Sequence, residues 1–105
     1  MATGRIGEEL TLDEGAFWAR RCALQALAAL KAELGSLDRV RRIAKVTAWV
    51  ASGDGFTDQP KVANGASDLL VEVFGDAGKH ARAAVAAPVL PLNAPIEVEL
   101  VAEVR

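Results

Sequence analysis

The sequence is poor in the residue types from which metal sites and disulfides are built. It has one cysteine, Cys22, and one histidine, His80, among its 105 residues. One cysteine cannot form a disulfide within the chain, and the pair is too few for the four protein ligands of a structural zinc site. We therefore expect no metal, and the scarcity of cysteine fits a reducing, cytoplasmic setting.

Long apolar runs and an excess of basic charge are also missing. No apolar run reaches the ~20 residues of a membrane span and there is no signal-peptide pattern, so we expect no membrane association. Twelve basic and fourteen acidic side chains leave a formal net charge of −2, which gives no long-range attraction to nucleic acid. We interpret the one local concentration of basic residues as a solvated face. It comprises Arg39, Arg41, Arg42 and Lys45.

Apolar residues, in contrast, make up 51% of the chain, and two of their patterns predict helices. Thr11 with Glu14 three residues later is a capping-box pattern for the first helix, and Gly35 supplies its stop. Pro60 opens the second helix, which ends at Gly75. Each helix has an apolar stripe at three- and four-residue spacing. The stripes are Leu12, Ala16, Ala19, Ala23, Leu27, Leu30 and Leu34, and then Val62, Ala66, Leu69, Leu70, Val73 and Phe74.

Three segments alternate in the way that is typical of β-strands: 42–51, 82–89 and 96–104. The first is apolar on both faces, which predicts a strand inside a sheet. We interpret the last two as a β-hairpin, with Arg82 at the mouth of one strand and Glu97 on the next. These two charges either keep the sheet in solution or face each other across a small pocket.

The order of elements predicts a single α+β domain over residues 1–105, with both helices on one face of a mixed sheet. The residues before the first helix leave room for at most one very short strand, so the sheet has an open edge. We therefore expect that the chain begins partway through a domain. Ile43, Trp49 and Val101 are expected on the face away from the helices, where exposed apolar surface favours self-association.

Several segments taken together resemble the Rid family, also called the YjgF-type or endoribonuclease L-PSP family. The most specific part is "ARAAV", then "LP", then "IEVE", which is similar to the family's C-terminal signature. "VANGASDLLVEVFG" resembles its second helix, and "RVRRIAKVTAWVASGDGF" its central strand and following loop. The resemblance covers almost the whole chain, although the family's two N-terminal strands have no counterpart here.

This resemblance implies a chorismate-mutase-like α+β fold and a homotrimer with clefts at the subunit interfaces. It also implies hydrolysis of 2-imino or enamine acids to 2-oxo acids and ammonia. By resemblance, Arg82 binds the substrate carboxylate and Glu97 orients the attacking water. Asn64 takes the place of the family's cleft asparagine, and Ala84 contributes backbone groups.

The chemistry is consistent with these residue types. An arginine presents a planar fork that donates two parallel hydrogen bonds to a carboxylate, and a carboxylate such as Glu97 can take a proton from water. No metal or cofactor is needed, because a protonated imine is already activated. Other interpretations remain: Glu97 as part of a solvated strand face, Asn64 as a helix cap, and His80 as a loop residue.

Two other functions stay open at this point. One is a family member that binds a small carboxylate or another protein without turnover. The other is a ribonuclease or translation inhibitor, which the negative net charge and the single histidine disfavour.

Overall fold

Helix α1 occupies Leu12–Leu34 in the computed structural model, which describes all residues from 1 to 105. The Oγ1 of Thr11 accepts a hydrogen bond from the Glu14 amide at 3.1 Å, and the Glu14 carboxylate accepts one from the Thr11 amide at 3.0 Å. Gly35 ends the helix at φ 83°, a left-handed conformation that favours glycine, and its N–H donates to the Lys31 carbonyl. The predicted capping box and stop are therefore both confirmed.

Helix α2 occupies Gln59–Phe74. Pro60 lies in its first turn, where a missing N–H costs nothing because the first amides of a helix have no partner in the helix. Gly75 follows the last residue, and its N–H donates to the carbonyl of Val71. Neither α1 nor α2 is long and apolar enough to cross a membrane.

The sheet has three strands, with the first in the middle. Strand β1 is Val40–Ala51, β2 is Ala81–Ala87 and β3 is Ile96–Val104. β1 pairs with β2 in parallel, as a crossover through α2 allows, and with β3 in antiparallel orientation. The structure thus has the mixed sheet and the two helices of the expected α+β class, with β1 inside the sheet as predicted.

The predicted hairpin of the last two strands is wrong. β2 and β3 lie on opposite sides of β1, and the loop 88–95 passes across the end of β1 to connect them. The Ala51 amide donates to the carbonyl of Pro95, and the Ser52 amide donates to the carbonyl of Ala87, each at 2.9 Å. The end of β1 thus binds both neighbours, because an apolar central strand is covered best when both of its edges are paired.

The core lies between the helices and one face of the sheet, and it includes a residue that we expected on the other face. Ile43 is 1% exposed within this core. The pairing with β3 shifts by one residue between Ile43 and Lys45, and such a bulge turns the preceding side chains to the opposite face. The other buried core residues of β1 are Val40, Val46, Ala48 and Val50.

The segment before α1 forms one short contact with the sheet in place of a strand. Ile6 makes an isolated bridge with Ser52, and its side chain is fully buried. Its N–H donates to the Ala51 carbonyl at 2.7 Å. This backbone contact lies at the end of β1, where the pairing of β1 with β2 and β3 has ended.

Candidate functional site

Arg82 and Asn64 lie next to each other, although 18 residues separate them in the sequence. The Arg82 Nη1 donates to the Asn64 Oδ1 at 2.7 Å. Arg82 stands opposite Val46 in the parallel register, on the face of the sheet that the helices cover. Because β2 is an edge strand, this side chain extends past the core and reaches the exposed flank of α2.

Ser67 and His80 join the same cluster. Arg82 Nη1 also donates to Ser67 Oγ at 3.2 Å, and that oxygen lies 2.9 Å from His80 Nε2. His80 Nδ1 lies 2.6 Å from the carbonyl oxygen of Gly78. A carbonyl can only accept, so Nδ1 carries the hydrogen, and in a neutral imidazole Nε2 then accepts the Ser67 hydroxyl proton.

Neither Ser67 nor His80 was identified as a site residue from the sequence. A signal for them exists, since Asn64 and Ser67 are three residues apart on one helix face and His80 and Arg82 are two apart near one strand. What brings the two pairs together is the parallel pairing of β2 with β1.

The positive charge of Arg82 has no acidic partner within the chain. No carboxylate oxygen lies within 4.0 Å of it, and its Nη2 and Nε make no hydrogen bond. In contrast, Arg41 and Arg42 both pair with Glu103, at 3.2 and 2.8 Å. One edge of the Arg82 guanidinium is therefore free for a planar anion, while the other is held by Asn64.

Ala84 lies two residues after Arg82 on the same face of β2, where it is half-buried against the core. Half of the backbone groups of an edge strand point away from the sheet, so they are free to bind a ligand. Ala84 therefore lies on the same face of β2 as Arg82, opposite Ala48 in the parallel register.

Glu97 does not join this cluster within one chain. It pairs with Trp49, on the face of the sheet away from the helices. From the strand spacing and rise, its Cα lies roughly 14 Å from that of Arg82, with β1 between them. The two side chains point to opposite faces, so one copy of the chain cannot bring them to one ligand.

The electrostatics near Glu97 involve a different element. Burial, and then the negative charge of Glu97, raises the pKa of the Cys22 thiol on α1. At the far end of β3, Arg42 lowers the pKa of Glu103 through a hydrogen bond and through its positive charge. Arg41 lowers the pKa of Glu103 further.

A single chain has no enclosed pocket and no cluster of three or more metal-binding side chains. Its face away from the helices is open and partly apolar, since Val85 and Val101 are 41% and 50% exposed. Thr47 between them is almost fully buried by its neighbours. The free edge of the Arg82 guanidinium is therefore at the surface, on a strand that also presents the apolar side chain of Val85.

Comparison with known proteins identifies a matching family and a similar curated protein. Residues 1–104 match the family described as "YjgF/chorismate_mutase-like, putative endoribonuclease". The chain is 48% identical over 104 residues to "Protein TCP17" of Trypanosoma cruzi, covering 98% of this chain and 65% of that protein. The chain thus spans about two thirds of the length of this curated relative.

Two solved structures have the same fold. The protein Atu1372 of Agrobacterium tumefaciens, described as having unknown function, matches with a TM-score of 0.97 and 40% identity, over 99% of this chain and 66% of that one. A "putative endoribonuclease" from Shewanella oneidensis MR-1 matches with a TM-score of 0.96 and 38% identity, over 99% and 69%.

Proposed function

Because the chain belongs to the YjgF/chorismate-mutase-like family, we propose that it binds 2-imino acids through Arg82 and hydrolyses them to 2-oxo acids and ammonia. The observation that carries this proposal is the free edge of the Arg82 guanidinium. A cation that is held on one side and has no acidic partner is preorganised for a small carboxylate.

Asn64 supports this role by fixing the guanidinium. An exposed arginine side chain samples many rotamers, and ordering it on binding costs about 2 kcal/mol of entropy at most. The 2.7 Å bond to the Asn64 Oδ1 restricts Nη1 before any ligand arrives. A carboxylate would then bind to Nε and Nη2, on the side of the guanidinium that faces away from Asn64 and Ser67.

The water-activating group has to come from a second copy of the chain. Within one chain Glu97 lies on the opposite face of the sheet from Arg82, so we propose that Glu97 of a neighbouring subunit orients the water and takes its proton. The exposed Val85 and Val101 on the open sheet face support self-association, and we propose a homotrimer.

Substitution of Arg82 tests the binding role. A charge-assisted bidentate pair in a partly dry cleft contributes on the order of 2–4 kcal/mol, so Arg82→Ala should lower kcat/KM by roughly thirty- to a thousandfold. Arg82→Lys should fall between the two, because it keeps the charge and loses the fork. The assay supplies imine from an amino-acid oxidase and follows its decay with semicarbazide as the trap.

Arg41→Ala is the matched control, since it removes one exposed positive charge near the far end of β1. It should leave kcat/KM unchanged. Glu97→Gln should lower turnover while 2-oxobutanoate still binds, because it removes the proton acceptor and keeps the anchor. If Arg82→Ala, still folded, turns over imine as fast as the unchanged protein, the proposed site is wrong.

Association is tested by molecular mass in solution. Light scattering at micromolar concentration should give the mass of three chains, and Val101→Lys should reduce it by placing a charge on the apolar sheet face. A mass of one chain for the unchanged protein would refute the shared site, because Arg82 and Glu97 then could not meet.

One observation favours a second candidate, a carboxylate-binding protein without turnover. A single chain contains the free edge of Arg82 and has Glu97 on the other face of the sheet, so binding would need one chain and catalysis two. Calorimetry with 2-oxobutanoate separates the two functions: binding through Arg82 without acceleration of imine decay would establish the binding role instead.

A further inference from the structure

One nitrogen of the Arg82 guanidinium has both of its hydrogens directed at side chains of α2. Nη1 carries two hydrogens, and it donates to Asn64 Oδ1 at 2.7 Å and to Ser67 Oγ at 3.2 Å. The donors left for a ligand are Nε and Nη2, which point in parallel along one edge of the planar group. A carboxylate can meet this edge with both of its oxygens, whereas the edge between Nη1 and Nη2 is closed.

The hydroxyl of Ser67 is oriented for this contact by His80. Nδ1 of His80 is bound to the Gly78 carbonyl at 2.6 Å, so in a neutral ring Nε2, at 2.9 Å from Ser67 Oγ, accepts the hydroxyl hydrogen. A lone pair of the hydroxyl oxygen is then left for Nη1 of Arg82. Without His80, a serine in a helix can turn its hydroxyl towards the carbonyl four residues earlier.

The far end of this chain of contacts is held by the backbone. Gly78 is buried, and a Cβ at this position would overlap the carbonyl oxygen of Leu70 in α2. Because only glycine lets the turn before β2 come so close to the helix, the Gly78 carbonyl is fixed against the same helix that carries Ser67. His80 therefore spans two points of fixed separation.

The partners of Nη1 hold Arg82 without neutralising it, since Asn64 and Ser67 are both uncharged. Other arginines of the chain contact a carboxylate, which cancels their charge: Arg5, Arg20, Arg41 and Arg42. Arg82 thus combines a fixed orientation with a full positive charge, and these are the two properties that an anchor for an anion requires.

We infer that Ser67, oriented by His80, is a positioning residue that restricts Arg82 to one binding mode, in which a carboxylate is bound by Nε and Nη2. This inference rests on the proposed binding of 2-imino and 2-oxo acids by Arg82. Ser67 and His80 do not touch the ligand in this mode, because they lie on the opposite side of the guanidinium. Their effect on affinity passes through Arg82 alone.

The restriction of Arg82 can be measured before any ligand is added. Rotation about the Nε–Cζ bond exchanges Nη1 and Nη2, and two hydrogen bonds on Nη1 oppose it. In the ¹⁵N spectrum of the unchanged protein, Arg82 should give separate Nη1 and Nη2 signals, assigned by their loss in Arg82→Lys. Ser67→Ala should merge them. A single averaged signal in the unchanged protein overturns the inference.

Two replacements of His80 separate its contact with Ser67 from its contact with Gly78. His80→Gln carries an amide oxygen near the position of Nε2, which can still accept the Ser67 hydroxyl hydrogen. His80→Asn carries an amide donor near the position of Nδ1, so it keeps the Gly78 contact and leaves Ser67 without its acceptor. Ser36→Ala is the control for Ser67→Ala, because it removes a serine hydroxyl that is bonded to the Asp38 amide, outside the cluster.

Calorimetry with 2-oxobutanoate measures the consequence for binding. Ser67→Ala and His80→Asn should each raise the Kd about three- to tenfold, because the ligand then has to order the arginine. His80→Gln and Ser36→Ala should stay within about twofold of the unchanged protein. The Ser67→Ala/His80→Asn double variant should bind no more weakly than Ser67→Ala alone, since both changes break the same chain of contacts.

Thermal unfolding shows which variants are folded, and the ¹⁵N signals of the unchanged protein decide if Ser67→Ala is not. Unaltered affinity in folded Ser67→Ala overturns the positioning role and leaves Arg82 as the carboxylate anchor. Equal affinities of His80→Gln and His80→Asn overturn the orienting role of His80. Absence of 2-oxobutanoate binding to the unchanged protein overturns the proposed function, and this inference with it.

Discussion

Replacing Gly65 by alanine should push the two helices apart and displace the site residues that α2 carries. A Cβ at position 65 would lie 2.0 Å from the carbonyl oxygen of Ala16 and 2.8 Å from its carbonyl carbon. Both are backbone atoms of α1, which cannot rotate away as a side chain can. To reach an ordinary contact, the helices have to separate by about 1 Å at this point.

The expected loss of stability follows from opposing terms. Alanine gains about 1 kcal/mol over glycine in a helix interior. A gap of about 0.5–1 Å removes a quarter to a half of the dispersion energy between facing atoms, and overpacking of this kind costs about 1–3 kcal/mol, occasionally more. Because the overlap is with backbone atoms, the strain should lie near the upper end of this range and exceed the gain by about 2 kcal/mol, so the melting temperature should fall by roughly 8–16 °C.

Gly15→Ala is the matched control, because it also introduces alanine into a helix. Its Cβ would come closest to the Cδ1 of Ile6, at 2.9 Å, and that atom is the end of a side chain that can move. Circular dichroism melts should show Gly65→Ala well below Gly15→Ala. Because Gly65 lies between Asn64 and Ser67, its variant should also bind 2-oxobutanoate more weakly. Equal melting temperatures would refute the close helix contact.

Two further predictions concern pH. Burial raises the pKa of the Cys22 thiol, and the negative charge of Glu97 raises it further. The thiol therefore loses its proton more easily in the unfolded chain than in the folded one, so the free energy of unfolding should fall as the pH rises past about 8.5. Urea unfolding should therefore give a lower free energy at pH 10 than at pH 7, and Cys22→Ala should reduce that difference; an unchanged difference would contradict this prediction. Arg42, and then Arg41, lowers the pKa of Glu103, so its stabilisation is present at neutral pH and is lost as the pH falls through the lowered pKa. Glu103→Gln should make the melting temperature less sensitive to acid, and an equally steep acid profile for the variant would show that the ion pairs do not contribute.

The ends of α1 and of the last strand could be predicted because short-range contacts set them. In contrast, β1 begins two residues before the predicted start at Arg42, and β2 ends two residues before the predicted end at Val89. The capping box of α1 involves residues three apart, and its predicted start and stop are those of the structure. The third strand also matches, since Ile96–Val104 has a strict apolar alternation. These signals lie within a few residues of the boundary that they define, so no knowledge of the rest of the chain is needed.

The order of the strands could not be predicted in the same way. Alternation shows which side chains share a face, and it says nothing about which strand lies along which edge. The two register shifts on either side of Ile43 could not be predicted either, because an extra residue in a strand leaves its composition unchanged. The first error placed Glu97 on a strand next to that of Arg82, and the second placed Ile43 on the wrong face of the sheet. Only the first bears on the site.

The residues of the candidate site were likewise predictable only in part. Arg82 and Asn64 were named from resemblance, and the structure brings them together through the parallel pairing of β2. Ser67 could not be identified, because its neighbours lie 13 and 15 residues away in the sequence. A serine on a partly exposed helix face has no distinguishing pattern until the strand beside it is known.

The two faces of β2 show how the proposed assembly would be linked to the proposed binding. Arg82 points to the helix side of this edge strand, whereas Val85, three residues on, points to the open side and is 41% exposed. A second copy that covers Val85 must run along the same edge, so it brings its own backbone and side chains close to Arg82. Burial of apolar surface on one face would then close the anion site on the other. Affinity for a 2-oxo acid should therefore fall when the protein is diluted below the dissociation constant of its self-association, and an affinity independent of concentration would separate the two events.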